Sequence, residues 1–262
     1  MKIIGIVPAR MRSGRYPGKP MARIAGIPMV GHCYLRSRMS KVLDEVYAAV
    51  CDQEVFDYVE SIGGKAIMTS DRHEMCTDRV AEAALKAEAD LGCRADIVVN
   101  IQGDQPMVFP DMIDGVVKPL VEDETLLCST MVEKIVTYEE FDDPNRIKVV
   151  MDLQGHAIYF SREPIPSRAK YEGGFSMYKH VALIPFRRDF LFKFGRLPMT
   201  PLERVESVDY LRVLENGERI KVVVTERKTR TVDTPEDLTV VERLMADDTL
   251  FPLYAKAAET RA

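Results

Sequence analysis

Residues 1–21 read MKIIGIVPARMRSGRYPGKPM, an apolar run followed at once by a cationic, glycine-rich loop. The run KIIGIVP, residues 2–8, has the composition of a short strand buried on both faces, as in parallel sheets. The loop carries four cations, Arg10, Arg12, Arg15 and Lys19. The stretch therefore predicts the first strand of a parallel α/β sheet, opening directly into a binding loop.

Strand-like and helix-like segments alternate through the first half of the chain. EVYAAV (45–50), KAIMT (65–69) and ADIVVNIQGD (95–104) have the composition of strands, and the segments between them show helical periodicity. TDRVAEAALKAEADLG (77–92) predicts a helix with Thr77 as its N-cap. Such alternation predicts an α/β fold with a mostly parallel, mixed sheet flanked by helices. Ligands of such sheets bind beyond the carboxyl ends of the strands.

The pattern changes after about Cys128, where longer strand-like runs appear. RIKVVMDLQGHAIYFSR (146–162) contains the hairpin signal LQGH, and KHVALIPF (179–186) follows it. These runs predict a β-rich sub-region around residues 128–190 within a single domain over residues 1–262. The closing elements are a helical stretch, a strand and a helix: LERVESVDYLRVLENG (202–217), IKVVVTE (220–226) and TPEDLTVVERLM (234–245).

Composition limits the class of protein. The 262 residues, 46% hydrophobic and 29% charged, are ordinary for a soluble globular chain. A formal net charge of -5 argues against general affinity for nucleic acid or a membrane surface, so we expect neither as a partner. A cationic loop on this acidic background predicts one anionic ligand held at one place.

The five cysteines and the N-terminus indicate a cytoplasmic protein. No two cysteines form a C-x-x-C pattern, which argues against a disulfide framework or a zinc site and predicts reduced thiols. Pro8 and Arg10 interrupt the first apolar run, so it lacks the apolar core of a signal peptide. No apolar stretch approaches the roughly 18 residues of a membrane span.

The cationic loop suits a polyphosphate ligand. Its glycines let backbone N–H groups approach phosphate oxygens, while arginine and lysine neutralise the charge. The loop is not a Walker A motif, because Pro20 follows Lys19, and it is not a G-x-G-x-x-G motif. A solvated basic loop is the alternative.

Two aspartates end candidate strands or begin candidate helices. Asp104 in IQGDQP is a natural Mg²⁺ ligand, with a turn-forming aspartate as the alternative. Asp233 in TVDTPEDL precedes a helix that Thr234 or Asp233 itself could cap, and local evidence favours a cap over a metal ligand. Taken with the cationic loop, however, the two carboxylates suit nucleotidyl or phosphoryl transfer with Mg²⁺.

Eight segments in a fixed order resemble the 3-deoxy-manno-octulosonate (Kdo) cytidylyltransferases, or CMP-Kdo synthetases, from about residue 3 to about residue 245. The pattern P-A-R-x-x-S-x-R-x-P-G-K-P, with a distant Q-G-D-x-P and V-D-T-P-E-D-L, carries the resemblance. The segments are VPARMRSGRYPGKPM, HEMCTDRVAEA, VNIQGDQPM, DDPNRIKVVMD, AIYFSREPIP, KHVALIPFRRDF, PLERVESVDYLRVLENGERI and VDTPEDL.

The resemblance implies a nucleotidyltransferase fold and a reaction that joins CTP to an acidic sugar. It implies release of pyrophosphate, Mg²⁺ as cofactor, a homodimer and a role in lipopolysaccharide biosynthesis. It implies Asp104 and Asp233 as metal ligands, which with Lys19 and Arg10 are the catalytic residues. The implied nucleotide-binding residues are Pro8, Ala9, Arg10, Ser13, Arg15, Lys19, Thr77, Arg79 and Gln102. The implied acceptor-binding residues are Arg162, His180 and Asp209. The resemblance also implies that the β-rich sub-region around residues 128–190 serves acceptor binding and dimerisation.

The departures from the family pattern lie mainly on the acceptor side. Gln105 replaces the glutamate of Q-G-D-E-P, and Ile184 stands where the family has a tyrosine of the sugar pocket. Met75 and Cys76 replace a Ser-Gly pair beside the nucleotide, and the family's E-Q-L-R becomes D-Y-L-R at residues 209–212. The cationic loop and both aspartates are unchanged. These departures predict conserved CTP and metal chemistry with Kdo, a modified Kdo, another 2-keto sugar acid or a small phosphonate acid as acceptor.

Two other classes of function stay open from the residues. A glycosyltransferase of similar shape would need a D-x-D motif, and Gly103-Asp104-Gln105 lacks the first carboxylate. A non-catalytic nucleotide-binding protein would have no need to keep Lys19 and both aspartates. No Ser-His-Asp order or G-x-S-x-G motif favours covalent catalysis. Taken alone, His180 and Arg162 are an ordinary strand histidine and an ordinary surface arginine.

Overall fold

The structure is a computed structural model that describes residues 1–12, 14–73, 75–170 and 173–258. The chain divides into two compact units. The first unit combines Met1–Asp114 with Thr229–Ala262, and the second is Gly115–Lys228. The second unit includes the β-rich sub-region expected around residues 128–190, and the single-domain organisation stays a prediction.

Strands and helices alternate over the first 122 residues, as the sequence pattern predicts. The elements are β1 (Ile3–Ala9), β2 (Arg23–Ile24), β3 (Ile27–Pro28), α1 (Met29–Ser37), β4 (Glu45–Val50), α2 (Gln53–Ser61), β5 (Ala66–Met68), α3 (Cys76–Leu91), β6 (Ile97–Ile101) and α4 (Pro110–Glu122). One turn of 3₁₀ helix, Lys19–Met21, lies within the cationic loop.

The rest of the chain is richer in strands until its last two α-helices. The elements are β7 (Ser129–Ile135), α5 (Tyr138–Asp142), β8 (Lys148–Met151), β9 (Ala157–Ser161), β10 (Met177–Val181), β11 (Leu183–Arg187), α6 (Arg188–Phe194), α7 (Pro201–Glu206), α8 (Leu211–Glu215), β12 (Lys221–Thr225), α9 (Pro235–Met245) and α10 (Phe251–Tyr254). A 3₁₀ turn, Ala255–Ala258, follows α10.

The sheet of the first unit has the strand order β6-β1-β4-β5, and all its pairs are parallel. Every residue of β1 and β6 is buried, which is why both read as continuous apolar runs. Since the strands are parallel, the loops that follow β1 and β6 leave the same edge of the sheet. The cationic loop and the Gln102–Asp104 turn therefore emerge side by side, as the sequence predicted.

The start of α3 differs from the start expected from the sequence. The helix begins at Cys76 with Met75 at the N-cap, whose extended backbone has φ -90° and ψ 142°. The prediction of Thr77 as the N-cap is wrong, because its backbone is already helical. Thr77 is instead buried, with 1% of its surface exposed. Within the described part of the chain, no helix combines the length and apolarity needed to cross a membrane.

The sheet of the second unit has the order β12-β7-β10-β8-β9. Strands β12 and β7 pair in parallel, and the other pairs of this sheet are antiparallel. The predicted LQGH hairpin joins β8 to β9, and Asp152 N donates to His156 O at 2.8 Å. The helical stretch predicted over residues 202–217 is two helices, since Ser207 adopts the left-handed region with φ 53° and ends α7.

A buried polar chain holds the end of the protein against α1; we call its side chains, Arg36, His32, Tyr254 and Asp248, the C-terminal anchor. Arg36 pairs with Asp248, and Arg36 Nε donates to Tyr254 Oη at 3.1 Å. Tyr254 Oη lies 2.6 Å from His32 Nδ1, and His32 Nε2 lies 2.8 Å from the Ile24 carbonyl oxygen. A carbonyl only accepts, so Nε2 carries the hydrogen and Nδ1 accepts from the tyrosine. In this arrangement His32 is neutral, and both of its ring nitrogens have partners.

The anchor should make the stability of the protein depend on pH. Burial lowers the pKa of His32 from 6.5 to about 4, with the Ile24 carbonyl partly opposing the shift. The unfolded chain therefore takes up a proton more readily, and the contribution is complete above pH 6.5 and lost as the pH falls towards 4. Between pH 7 and 4.5 we expect a loss of about 2–3 kcal/mol from this residue.

Urea unfolding of the wild type and of His32→Gln, measured from pH 7 to 4.5, tests this pH dependence. Other groups titrate in both proteins, so the difference between the two curves isolates His32. The variant should be less stable at pH 7 and less sensitive to acid. Parallel curves over the whole range would show that His32 does not carry the effect.

Candidate nucleotide and metal site

A cleft of about 360 Å³ lies at the carboxyl edge of the first unit's sheet. Three segments form it: the end of β1 with the cationic loop, the start of α3 with the residues before it, and the turn after β6. The lining residues are Pro8, Ala9, Arg10, Arg12, Gly14, Arg15, Lys19, Pro20, His73, Met75, Cys76, Arg79, Gln102, Gly103 and Asp104. The lining of the cleft therefore combines cationic side chains, a carboxylate and the last residues of β1.

Lys19 joins the two predicted metal aspartates. Its ammonium nitrogen lies 3.0 Å from Asp104 Oδ2 and 3.6 Å from Asp233 Oδ1. It also donates to the carbonyl oxygen of Val232 at 2.9 Å. Arg15 Nη2 contacts the same oxygen of Asp233 at 3.0 Å. Two residues far apart along the chain thus bring their carboxylates to one ammonium group beside the cationic loop.

A backbone hydrogen bond, in addition to the side-chain contacts, holds the two aspartates near each other. Val232 N donates to the carbonyl oxygen of Asp104 at 2.9 Å, which ties the segment before α9 to the turn after β6. Val232 is fully buried in a cluster with Ile24, Met29, Val241 and Met245. The position of Asp233 therefore depends on the packing of α9 as well as on its ion pairs.

The cap of α9 is Thr234, so Asp233 is not needed for that task. The Thr234 hydroxyl accepts from Asp237 N, and Asp237 returns the bond in a capping box. The sequence allowed either residue as the cap. With Thr234 in that role, the side chain of Asp233 faces Arg15 and Lys19.

Gly103 sets the spacing between the two loops of the site. A Cβ added there would lie less than 3.0 Å from the carbonyl oxygen of Pro8, a backbone atom at the end of β1. Only glycine allows this approach without moving one strand end. The residue next to Asp104 thus brings the turn after β6 against the last residues of β1.

Gly103→Ala should have its main effect on the turnover rate and a smaller effect on thermal stability. The added methyl group has to displace the turn that carries Asp104, and a displacement of about 1 Å in a reacting group can lower activity about 10²-fold. Gly115→Ala is the matched control, since a Cβ there has no neighbour nearer than 3.9 Å and should stabilise α4 by up to about 1 kcal/mol. Steady-state rates and thermal melts of both variants check this, and equal rates would contradict it.

The lining of the cleft also includes the predicted nucleotide residues Arg10, Arg79 and Gln102. Arg10 donates to the carbonyl oxygen of His73 at 3.2 Å, and Gln102 Nε2 lies 3.4 Å from Cys76 Sγ. Arg79 is almost fully buried and donates through Nη1 to the hydroxyl of Thr69. Its Nη2 is buried and has no hydrogen-bond partner among the described residues.

The other predicted nucleotide residues have different outcomes. Ser13 lies outside the described residues. Thr77 is buried in the first turn of α3 and does not line the cleft. Pro8 and Ala9, by contrast, form the end of β1 and do line it.

The predicted acceptor residues lie in the second unit and have partners there. The guanidinium of Arg162 donates to the carbonyl oxygens of Glu206 at 2.7 Å and Pro144 at 3.1 Å. His180 Nε2 lies 2.7 Å from the Thr130 hydroxyl, and burial lowers the pKa of His180 to about 4. Asp209 is 8% exposed, in the turn before α8. Their part in acceptor binding stays a prediction.

Sequence reasoning missed several lining residues. Arg12, Gly14 and Pro20 belong to the quoted cationic loop, and the loop itself was the signal for them. Gly103 sits inside the Q-G-D motif, where a glycine before a carboxylate could have indicated close backbone approach. His73 was also missed, whereas Met75 and Cys76 had been placed beside the nucleotide through the family pattern. They come together only through the placement of α3.

The carboxylate pair fits a Mg²⁺ ion that is shared with a polyphosphate. Mg²⁺ is commonly held by one or two carboxylates together with water and substrate phosphates, rather than by a complete protein cage. Among the residues that the structure describes, no group of three His, Cys, Asp or Glu side chains could hold a metal by itself. Asp104 and Asp233, next to a loop suited to phosphates, match the shared arrangement.

A parallel α/β sheet with a cationic glycine loop and paired aspartates at its carboxyl edge defines a nucleotidyltransferase-type fold and site. The sequence matches the cytidylyltransferase family over residues 4–220. It is 46% identical to the 3-deoxy-manno-octulosonate cytidylyltransferase of Geobacter metallireducens, over 93% of this chain and 98% of that protein. It is 44% identical to the enzyme of the same name from Thermodesulfovibrio yellowstonii, over 94% and 98%.

A solved structure of CMP:2-keto-3-deoxy-manno-octonic acid synthetase complexed with CTP superimposes with a TM-score of 0.87. It is 37% identical and covers 94% of this chain and 99% of its own. The chain belongs to the 3-deoxy-manno-octulosonate cytidylyltransferase family, whose members are CTP-dependent nucleotidyltransferases. The resemblance drawn from the motifs and the predicted fold class are both confirmed.

Proposed function

We propose that this enzyme transfers CMP from CTP to the sugar acid Kdo, with Mg²⁺, and releases pyrophosphate. The observation that carries the proposal is the position of Lys19 between Asp104 and Asp233, at 3.0 Å and 3.6 Å, on the wall of a cationic cleft. This arrangement supplies charge neutralisation and positioning, which are most of what nucleotidyl transfer asks of a protein. The names of the relatives and of the CTP complex support the choice of nucleotide and acid.

The cationic loop would hold the β- and γ-phosphates of CTP. Arg10, Arg15 and Lys19 supply the charge, and Pro8 and Ala9 line the cleft beside them. Ser13 is proposed for the same group on the resemblance alone. We assign the nucleoside to Thr77, Arg79 and Gln102. Arg79 and Gln102 line the cleft, and Thr77 is buried in the first turn of α3.

Asp104 and Asp233 would hold the Mg²⁺ ion, which when bound polarises the phosphate that is attacked and neutralises its charge. A hydroxyl or acid oxygen of the acceptor attacks the α-phosphorus in line with the departing pyrophosphate. One P–O bond forms to the acceptor, the bond to the β-phosphate breaks, and the acceptor's proton passes to solvent. Lys19 and Arg10 would stabilise the negative charge that develops on the leaving group, and such stabilisation is commonly the largest catalytic contribution.

Kdo is the first choice of acceptor, and a related 2-keto sugar acid is the second. The second choice has one observation in its favour: Ile184, where the family has a pocket tyrosine, is 1% exposed and offers no hydroxyl. Arg162, His180 and Asp209 remain the proposed acceptor residues. A homodimer and a cytoplasmic location stay predictions.

Pyrophosphate release by the purified enzyme tests the proposal. CTP, UTP, ATP and GTP are each supplied with Mg²⁺ and a panel of Kdo, other 2-keto sugar acids and small phosphonate acids. We expect release with CTP and Kdo, and none without an acid. Tight CTP binding without release from any acid would indicate a nucleotide-binding protein, and a better acid than Kdo would correct the acceptor alone.

A further inference from the structure

Lys19 already makes the contacts of a bound cation between the two aspartates. Its side chain is 15% exposed, and its ammonium group faces Asp104 Oδ2, Asp233 Oδ1 and the Val232 carbonyl oxygen. A lysine ammonium has three donors and no acceptor, and here each donor has an oxygen within 3.6 Å. An oxygen-lined position of this kind is also what a Mg²⁺ ion seeks.

The charges of the two aspartates are balanced by their own contacts, without any ligand. Asp104 and Asp233 carry two negative charges, and Lys19 and Arg15 lie within 3.6 Å of them with two positive charges. A divalent cation that entered between the carboxylates would meet the ammonium at close range. The bare protein therefore has little net attraction for the metal at the place where the reaction needs it.

A triphosphate changes this balance. Its oxygens compete with the aspartates for Lys19 and Arg15. Both residues belong to the cationic loop that is proposed to bind the phosphates. Lysine can follow such a change because its charge sits on a flexible four-carbon stem. Once the ammonium turns to the phosphates, the two carboxylates face a metal with no competing cation between them.

We propose that Lys19 occupies the divalent-cation position between Asp104 and Asp233 until a triphosphate draws it away. Metal and nucleotide then bind cooperatively, each raising the affinity for the other by the same factor. The inference rests on the proposed metal role of the two aspartates. It adds that Lys19 is also the residue that weakens metal binding in the absence of nucleotide.

The direct test is Mn²⁺ binding, followed by the electron paramagnetic resonance signal of the free ion, with no nucleotide present. Lys19→Met keeps the length of the side chain and removes its charge, and we expect it to bind Mn²⁺ at least tenfold more tightly than the wild type. Lys118→Met makes the same exchange at an exposed lysine of α4 and should bind as the wild type does. Adding Asp233→Asn to Lys19→Met should abolish the gain.

Equal Mn²⁺ affinity of the wild type and Lys19→Met would overturn the proposal, as would a gain that survives Asp233→Asn. The wild type alone provides a second test, should Lys19→Met fail to fold. Its affinity for Mn²⁺ should rise when the non-hydrolysable analogue α,β-methylene-CTP is present, after the binding of Mn²⁺ by the free analogue has been subtracted. An affinity that does not rise would also refute the proposal. Failure here with intact pyrophosphate release leaves the proposed function standing, whereas absence of release from CTP with every acid defeats that function itself.

Discussion

Asp104→Asn and Asp233→Asn should each lower the turnover number for CMP transfer by about 10²–10³-fold while leaving the fold intact. Removing one group that stabilises developing charge in a reaction typically has an effect of this size. Asparagine keeps the shape of the side chain but not its charge, so it neither holds Mg²⁺ as a carboxylate does nor balances Lys19 and Arg15. The backbone bond from Val232 N to the Asp104 carbonyl is untouched, which is why the structure should persist.

Steady-state rates at saturating CTP and acid, with thermal melts beside them, check this expectation. Asp247→Asn is the matched control, because Asp247 is exposed beyond the end of α9 and away from the cleft. It should keep both activity and melting temperature. If the two site variants retained near wild-type rates with Mg²⁺, the metal assignment would be wrong.

Asp248→Asn should reduce the free energy of unfolding by about 3 kcal/mol, the lower end of the range for breaking a buried ion pair. Arg36 has no exposed side-chain surface and Asp248 has 3%. The substitution leaves the guanidinium buried without its counter-charge, although it keeps its bonds to Tyr254 Oη and the Val108 carbonyl. Asparagine also retains one acceptor oxygen, which limits the loss.

Urea unfolding at pH 7 measures the effect, with Asp247→Asn as the neighbouring control of identical chemistry. The control should change stability by less than about 0.5 kcal/mol, as surface substitutions usually do. The double variant Arg36→Met with Asp248→Leu should lose less than Asp248→Asn, since it leaves no unpaired charge. Equal stability of Asp248→Asn and Asp247→Asn would show that the anchor contributes little.

The parts of the site that follow a strand directly were predictable from local sequence. β1 and β6 are continuous apolar runs, and parallel pairing puts the residues after both at one edge of the sheet. The cationic loop and Asp104 were therefore expected together. Asp233 was not, because its place depends on a contact between Val232 and Asp104 across almost half of the chain. Local pattern favoured a cap at this position, and a metal ligand was indicated only by pairing Asp233 with Asp104 and the cationic loop, and then by the family resemblance.

The predictions that failed did so where tertiary contacts overrode local preference. Threonine is a common N-cap residue, but α3 begins at Cys76, so Thr77 lies in its buried first turn. The break at Ser207 has no glycine to announce it, since a serine takes the left-handed conformation there. The C-terminal anchor gave no signal at all, because an arginine on one helix and an aspartate some 200 residues later become a pair only after packing.

The central claim is that the cleft joins CTP to a sugar acid with loss of pyrophosphate, and ³¹P NMR of one reaction mixture tests it most directly. Enzyme, CTP, Kdo and Mg²⁺ should convert the three CTP resonances into one phosphodiester signal and one pyrophosphate signal in equal molar amounts. Appearance of CDP with inorganic phosphate, or an unchanged CTP spectrum with Kdo and with every other acid of the panel, would contradict it.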